Sequence, residues 1–184
     1  MSSASSTKRP RTRSRKSAGK VPNRNPLPPA EGGGAIPTMG EIGLNHFVPY
    51  LLNRISANWN ANMQDLLKPF DMTTTKMRTL AVLSVMPGRT INELAVHAVA
   101  EQSTMSRTLD ALEEQKLIRR QARAEDMRVR EVYITEEGRA LFDRIWSPMY
   151  GMYSHLFDGI DETELRSLIA TLHKVLRNIR TQDI

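Results

Sequence analysis

The sequence predicts a mainly α-helical fold carrying one small two-stranded β-ribbon, and three observations predict it. Apolar residues recur at three- and four-residue spacing over most of the chain beyond residue 45, the period that keeps a stripe on one helix face. Residues that start and stop helices stand at the ends of those stretches. Residues 117–122 and 129–135 read instead as short strands, and the polar stretch Arg123-Ala124-Glu125-Asp126-Met127-Arg128 between them reads as a hairpin loop.

Residues 1–40 are rich in Ser, Arg, Pro and Gly and nearly free of large apolar side chains. Such a segment buries too little surface to offset its ordering entropy, so a disordered basic tail is expected. It holds eight bases (Lys8, Arg9, Arg11, Arg13, Arg15, Lys16, Lys20, Arg24) against Glu31, a net +7, while the remainder has eighteen bases and nineteen acids. The chain's net charge of +6 therefore belongs to the tail, and the part expected to fold is almost neutral. Besides a plain solvated tail, the segment suits a cationic arm that adds phosphate contacts. Lys8-Arg9-Pro10-Arg11 has a superficial likeness to a localisation signal.

The first long stripe is Val48, Leu52, Ile55, Trp59, Met63 and Leu66, with Pro49 tolerated in the first turn and Lys68-Pro69 ending the helix. Thr73 caps a second helix with Met77, Leu80, Leu83 and Val85 as its apolar positions, stopped by Pro87-Gly88. Thr90-Ile91-Asn92-Glu93 is a capping box opening a short helix to about Val99. A further helix spans residues 102–115, and the two strands follow. Thr135 caps a long helix containing Leu141, Ile145 and Met152, with a kink expected at Pro148. Asp161-Glu162-Thr163-Glu164 opens the last helix, carried on by Leu165, Leu168, Leu172, Val175 and Ile179. No internal repeat is present.

A length of 184 residues allows one core-forming domain with extensions. No apolar run approaches the roughly 20 residues that span a bilayer, and no secretory signal is visible, so a cytoplasmic location is expected. The absence of cysteine excludes disulfides, thiolate zinc sites and thiol redox sensing. The four histidines (His46, His97, His155, His173) are scattered without metal-ligand spacing, although His155 and Asp158 are placed to meet on one helix face. Gly32–Gly34 follow no strand, and no Ser/His/Asp arrangement stands out. No catalytic site, metal or cofactor is expected.

Helix, helix, helix, ribbon is the order of a winged helix-turn-helix, in which the third helix enters the major groove of DNA and the ribbon reaches an adjacent minor groove. In residues 102–115, Met105, Leu109 and Leu112 share one face and should pack inward. Gln102, Ser103, Thr104, Ser106 and Arg107 lie on the outer side of the N-terminal half, where hydroxyls approach base edges or backbone and Arg107 can grip guanine or phosphate. Asp110 and Glu114, further along, would repel phosphate, so only the N-terminal half should dock.

The stretch Gln102-Ser103-Thr104-Met105-Ser106-Arg107-Thr108-Leu109-Asp110-Ala111-Leu112-Glu113 resembles the recognition helix of the MarR (multiple antibiotic resistance regulator) family. Leu117-Ile118-Arg119-Arg120 is similar to its first wing strand, and Asp126-Met127-Arg128 followed by Ile134-Thr135-Glu136-Glu137-Gly138 is similar to its wing signature, with Ile for Leu. The resemblance covers about residues 45–180. Lys116 departs from it, standing where relatives often carry Gly; a left-handed Lys there would cost on the order of 1 kcal/mol.

The resemblance implies a winged helix-turn-helix domain over 73–135 and a helical dimerisation region from 41–72 and 136–184. Asp126 would brace the wing. Arg128 would pair with it or reach the minor groove, and Arg123 and Arg130 would contact phosphate or minor groove. A homodimer would set two wings on one pseudo-palindromic operator, acting as a ligand-responsive repressor. A small aromatic or phenolic anion would lie against Arg54, Asn58 and Trp59 of the first long helix and Trp146, Met149 and Tyr150 of the later one. Ordinary core and interface packing is the competing account of those six residues. Two other readings compete at the level of function: an architectural, largely non-specific DNA binder driven by the basic arm, and a winged helix reused for protein contact.

Overall fold

The computed structural model describes residues 38–179. Most of the expected basic tail, residues 1–37, lies outside them; of its last three residues, Met39 and Gly40 are helical. Thr38 caps a short helix, α1 (Met39–Ile42), through a reciprocal capping box with Glu41. A 3-10 turn (Leu44–His46) leads into α2 (Val48–Leu67). The remaining elements are α3 (Thr74–Val85), α4 (Ile91–His97), α5 (Gln102–Glu114), β1 (Ile118–Ala122), β2 (Arg130–Ile134), α6 (Glu136–Leu156) and α7 (Glu162–Ile179). Contacts divide the chain into two units, Met1–Leu52 and Asn53–Ile184.

Local signals account for where the helices begin. Thr73 accepts from the Lys76 amide at 3.2 Å, Thr90 and Glu93 form the capping box, and Thr135 accepts from the Gly138 amide at 3.0 Å. Asp161 accepts from the amides of Thr163 and Glu164, and the Glu164 carboxylate reaches back to the Asp161 amide. α6 runs through Pro148 as one continuous helix.

In the described part of the first unit, Met39, Leu44, Val48, Leu51 and Leu52 are exposed. In the second unit the stripe of α2 divides. Ile55 is 51% exposed, Trp59 is half-buried against the core, and Met63 and Leu67 are fully buried. The core itself is built where α3, α4 and α5 converge under the ribbon and the start of α6. Leu80, Leu83, Leu94, Met105, Leu112 and Ile145 are all sealed from solvent there. Met105, Leu109 and Leu112 face inward, which fixes the rotation of α5 about its axis. α7 contributes no buried residue: Leu165 and Leu172 are half-buried, and Leu168, Ile169, Val175, Leu176 and Ile179 are exposed.

β1 and β2 pair antiparallel with Ile118 opposite Ile134 and Arg120 opposite Val132. Alternation sends Ile118, Arg120 and Val132 to the face toward α5, while Arg119, Gln121, Glu131 and Tyr133 share the other. A third segment joins the ribbon: the Val132 amide donates to the Arg89 carbonyl at 2.9 Å, and the Gly88 amide donates to the Val132 carbonyl at 3.0 Å. Gly88 sits at φ +74°, tight against the Tyr133 ring.

The ribbon closes onto α6 at one crowded joint. Thr135 donates its amide to the Leu117 carbonyl (3.1 Å) and its hydroxyl to the Lys116 carbonyl (2.7 Å). Gly138, one turn on, lies so close that a Cβ there would overlap the carbonyl oxygen of Leu117. Lys116 adopts φ +59°, the left-handed conformation that Gly tolerates and Lys does not. Two expectations follow for urea unfolding. Gly138→Ala should cost about 2 kcal/mol or more, because backbone and not a flexible side chain must move. Lys116→Gly should be neutral or stabilising, by up to about 1 kcal/mol, as relief of left-handed strain offsets the entropy of the unfolded glycine.

Candidate nucleic-acid interface

The rotation of α5 leaves Gln102, Ser103, Thr104, Ser106 and Arg107 exposed on its N-terminal half. The Gln102 amide nitrogen donates to the Asn92 side-chain oxygen at 2.8 Å, tying the start of α5 to α4. α5 stands between two shallow hollows. One, of about 320 Å³, is lined by Thr73, Thr75 and Lys76 of the α3 N-terminus together with Thr104 and Arg107. The other, of about 230 Å³, lies toward the ribbon and has Ile91, Leu109 and Val132 as its apolar lining, with Ser106, Arg120 and Arg130 supplying polar groups.

Two of the three acids of α5 are paired, and Glu114, at its C-terminal end, is exposed without an ion pair among the described residues. Arg120 on the inward face of β1 bonds Asp110 at 2.7 Å and Glu113 at 3.2 Å. The Glu113 carboxylate also accepts from the Arg120 amide at 3.2 Å. Repulsion from Asp110, expected from the sequence, is thus compensated by an arginine the sequence reading did not single out. Strand parity is the signal that could have found it, since Arg120 follows Ile118 by two and must share its face.

At the hairpin tip the Asp126 carboxylate accepts from the Arg128 backbone amide at 3.0 Å, a side-chain-closed turn. The guanidinium of Arg128 makes no ion pair among the described residues, and neither do those of Arg107 and Arg130; all three side chains are exposed. Arg123 differs. Its Nε donates to Glu131 at 2.5 Å across the ribbon, and Tyr133 donates its hydroxyl to the other oxygen of that carboxylate at 2.8 Å. Hydrogen bonding from Arg123, then from Tyr133, holds the Glu131 carboxyl below its ordinary range. The guanidinium of Arg119 lies 4.6 Å from the centre of the Tyr133 ring.

The six residues expected to line an effector site are distributed differently. Arg54 and Asn58 are exposed on α2, and Asn58 accepts from the Asn62 side chain at 3.1 Å. Trp146 and Tyr150 are 48% and 53% exposed on α6. Met149 follows the competing packing account: it is buried in the core with Phe142 and Ile145, because positions 142, 145 and 149 share the inward face. Beside that face runs a series of rings unnoticed in the sequence. Phe142, Trp146, Tyr150, Tyr153 and Phe157 are stepped by centroid distances of 6.0, 5.9, 5.9 and 5.1 Å. Their three- and four-residue spacing was readable. His155 and Asp158 do meet, at 2.5 Å on the exposed end of α6. Among the described residues no cluster of three or more His, Cys, Asp or Glu could hold a metal ion, and no helix is long and apolar enough to cross a membrane.

Comparison with known proteins bears on this geometry. A family model described as MarR family matches residues 70–128, from the turn before α3 to the hairpin tip. A transcriptional regulator of the MarR family from Silicibacter pomeroyi, of known structure, is 41% identical with a TM-score of 0.76, covering 80% of this chain and all of that one (100%). The HTH-type transcriptional repressor IacR of Pseudomonas putida is 29% identical over 145 residues, 79% of this chain and 87% of its own length. The S. aureus MepR–DNA complex is similar at 28% identity and a TM-score of 0.65, covering 74% of this chain and 99% of that chain.

The capping box beneath the ribbon carries a pH signature. The Thr90 amide, bonded to the Glu93 carboxylate at 2.7 Å, is the leading cause that holds this acid below its ordinary value of 4.5, assisted by the Thr90 hydroxyl and Arg89. A depressed carboxyl stabilises the fold above its unfolded-state value and loses that contribution as pH falls through its lower folded-state value. Glu93→Gln retains an acceptor for the box but not the charge. Its urea midpoint should therefore lie below that of the wild type at neutral pH and converge with it as pH falls below 4.5.

Proposed function

This chain belongs to the MarR family of transcriptional regulators, and from that premise we propose that it binds a pseudo-palindromic operator in double-stranded DNA as a homodimer and represses transcription. One observation carries the reading. The exposed hydroxyls and Arg107 of α5 stand beside a ribbon whose Arg128 and Arg130 make no internal ion pair among the described residues, while Asp110 and Glu113 of the same helix are held by Arg120. An unspent cationic edge on an inward-packed helix is what groove docking requires. The likeness to a DNA complex of MepR supports the same reading.

In this reading residues 73–135 contact DNA. Residues 41–72 and 136–184 serve dimerisation. The support for association is α7, whose apolar residues recur at helical spacing while Leu168, Ile169, Val175, Leu176 and Ile179 stay exposed among the described residues. The exposed rings Trp146 and Tyr150, with Arg54 on α2 as a charge partner, suit a flat aromatic anion as effector.

Fluorescence anisotropy tests this with DNA from upstream of the protein's own gene and a scrambled duplex, at two salt concentrations, with and without residues 1–40. The expected outcome is sequence-dependent binding that survives removal of the tail and is weakened by Arg107→Ala by about 1–3 kcal/mol. Equal, salt-sensitive binding to both duplexes that disappears with the tail would establish the architectural reading instead. Light scattering should give twice the 20.8 kDa chain mass. Titration of the protein–DNA complex with small aromatic acids should release DNA; neither heat nor release would remove the effector from the proposal.

A further inference from the structure

Of the arginines expected to touch DNA, Arg123 alone is engaged by a carboxylate, and the manner of that engagement is informative. Glu131 takes the Nε hydrogen only. The two terminal amino groups of the guanidinium have no hydrogen-bond partner among the described residues, and the side chain is 39% exposed. Glu131 is itself held: its side chain is 16% exposed, and its second oxygen accepts from Tyr133. Tyr133 in turn is wedged against Gly88, whose backbone is bonded to β2, and its outer face carries Arg119. The Arg123 amide donates to the Val129 carbonyl at 2.9 Å, so the residue stands at the root of the loop that carries Arg128.

We infer that Glu131 and Tyr133 are positioning residues that hold Arg123 by its Nε and present the terminal edge of its guanidinium to a DNA phosphate. This rests on the DNA-binding reading above and deepens it. A guanidinium forks toward an anion through two parallel N–H groups, so gripping it at Nε leaves the Nη pair available and fixes its direction. An arginine ordered before binding loses less side-chain entropy on contact. Glu131 thus has an effect opposite in sign to its charge. A carboxylate beside a DNA-facing surface would ordinarily weaken binding, whereas this one strengthens it by orienting a cation.

Anisotropy with the upstream duplex, over a salt series, decides the matter for Glu131→Gln, Tyr133→Phe, Arg123→Ala and the Arg123→Ala/Glu131→Gln double variant, each checked for an unchanged unfolding transition. Glu131→Gln should weaken binding roughly two- to ten-fold although it removes a negative charge, the entropy of one long side chain no longer ordered in advance. Tyr133→Phe, which removes one anchor of Glu131 and keeps the ring, should weaken it less. Arg123→Ala should lower the salt slope by about one, and Glu131→Gln should weaken binding no further in that background. Binding by Glu131→Gln as tight as or tighter than wild type overturns the inference, as does a loss that persists without Arg123. If the wild type binds neither duplex, the DNA-binding reading itself falls. If it binds through Arg107 while Glu131→Gln is indifferent, only the positioning role falls.

Discussion

The carbonyl oxygen of Leu117 is the point on which the winged part of this molecule depends. The Leu117 amide donates to the Leu112 carbonyl as α5 ends, its carbonyl receives the Thr135 amide as the ribbon closes, and Gly138 presses α6 against the same atom. Four elements are referenced to the backbone of one residue: α5, both strands and α6. The contacts are backbone, a cap and a missing side chain, so no rotamer change can absorb a displacement there. The placement of the ribbon against α5 and α6 is consequently set by backbone hydrogen bonds and one close backbone approach, a suitable basis, in the reading proposed above, for two elements that enter neighbouring grooves of one duplex.

Charge is distributed over this frame with a division of labour. Arg120 pairs with both Asp110 and Glu113, and Arg89 pairs with Glu93 at 3.0 Å beneath the ribbon. These pairs are partly exposed and contribute modestly to stability, at about 1 kcal/mol or less each. Their larger consequence is electrostatic: Asp110, Glu113 and Glu93 are answered locally, so an outer surface on a nearly neutral body still presents arginines. Net charge would never have shown this, since the excess lies in residues 1–40.

What was legible in the sequence was whatever is decided within a few residues. Thr73, Thr90, Thr135 and Asp161 announced their helices because a cap is a local hydrogen bond, and Met105, Leu109 and Leu112 fixed the facing of α5 because burial follows the helical period. The left-handed Lys116 was legible as a departure from a family pattern. What depends on which elements meet was not. Val48, Leu52 and Ile55 were legible as a stripe and are exposed, since periodicity shows that a stripe exists and not what covers it. Which of two accounts holds for Met149 needed the fold, which places it in the core, and the grip of Glu131 on Arg123 across the ribbon was not foreseen. For Met149 and Arg123 the deciding partner lies beyond the few residues on either side that a local signal can reach.

The ring series on α6 gives the protein a property unconnected with recognition. Its two tryptophans stand in unlike surroundings, Trp59 half-buried beside the core and Trp146 nearly half exposed between Phe142 and Tyr150. Whatever comes to cover that face of α6, a second chain or a flat molecule, must dehydrate one indole while leaving the other in its core setting. The emission of the unlabelled protein therefore has one component that registers occupancy of this face and one that serves as its internal standard.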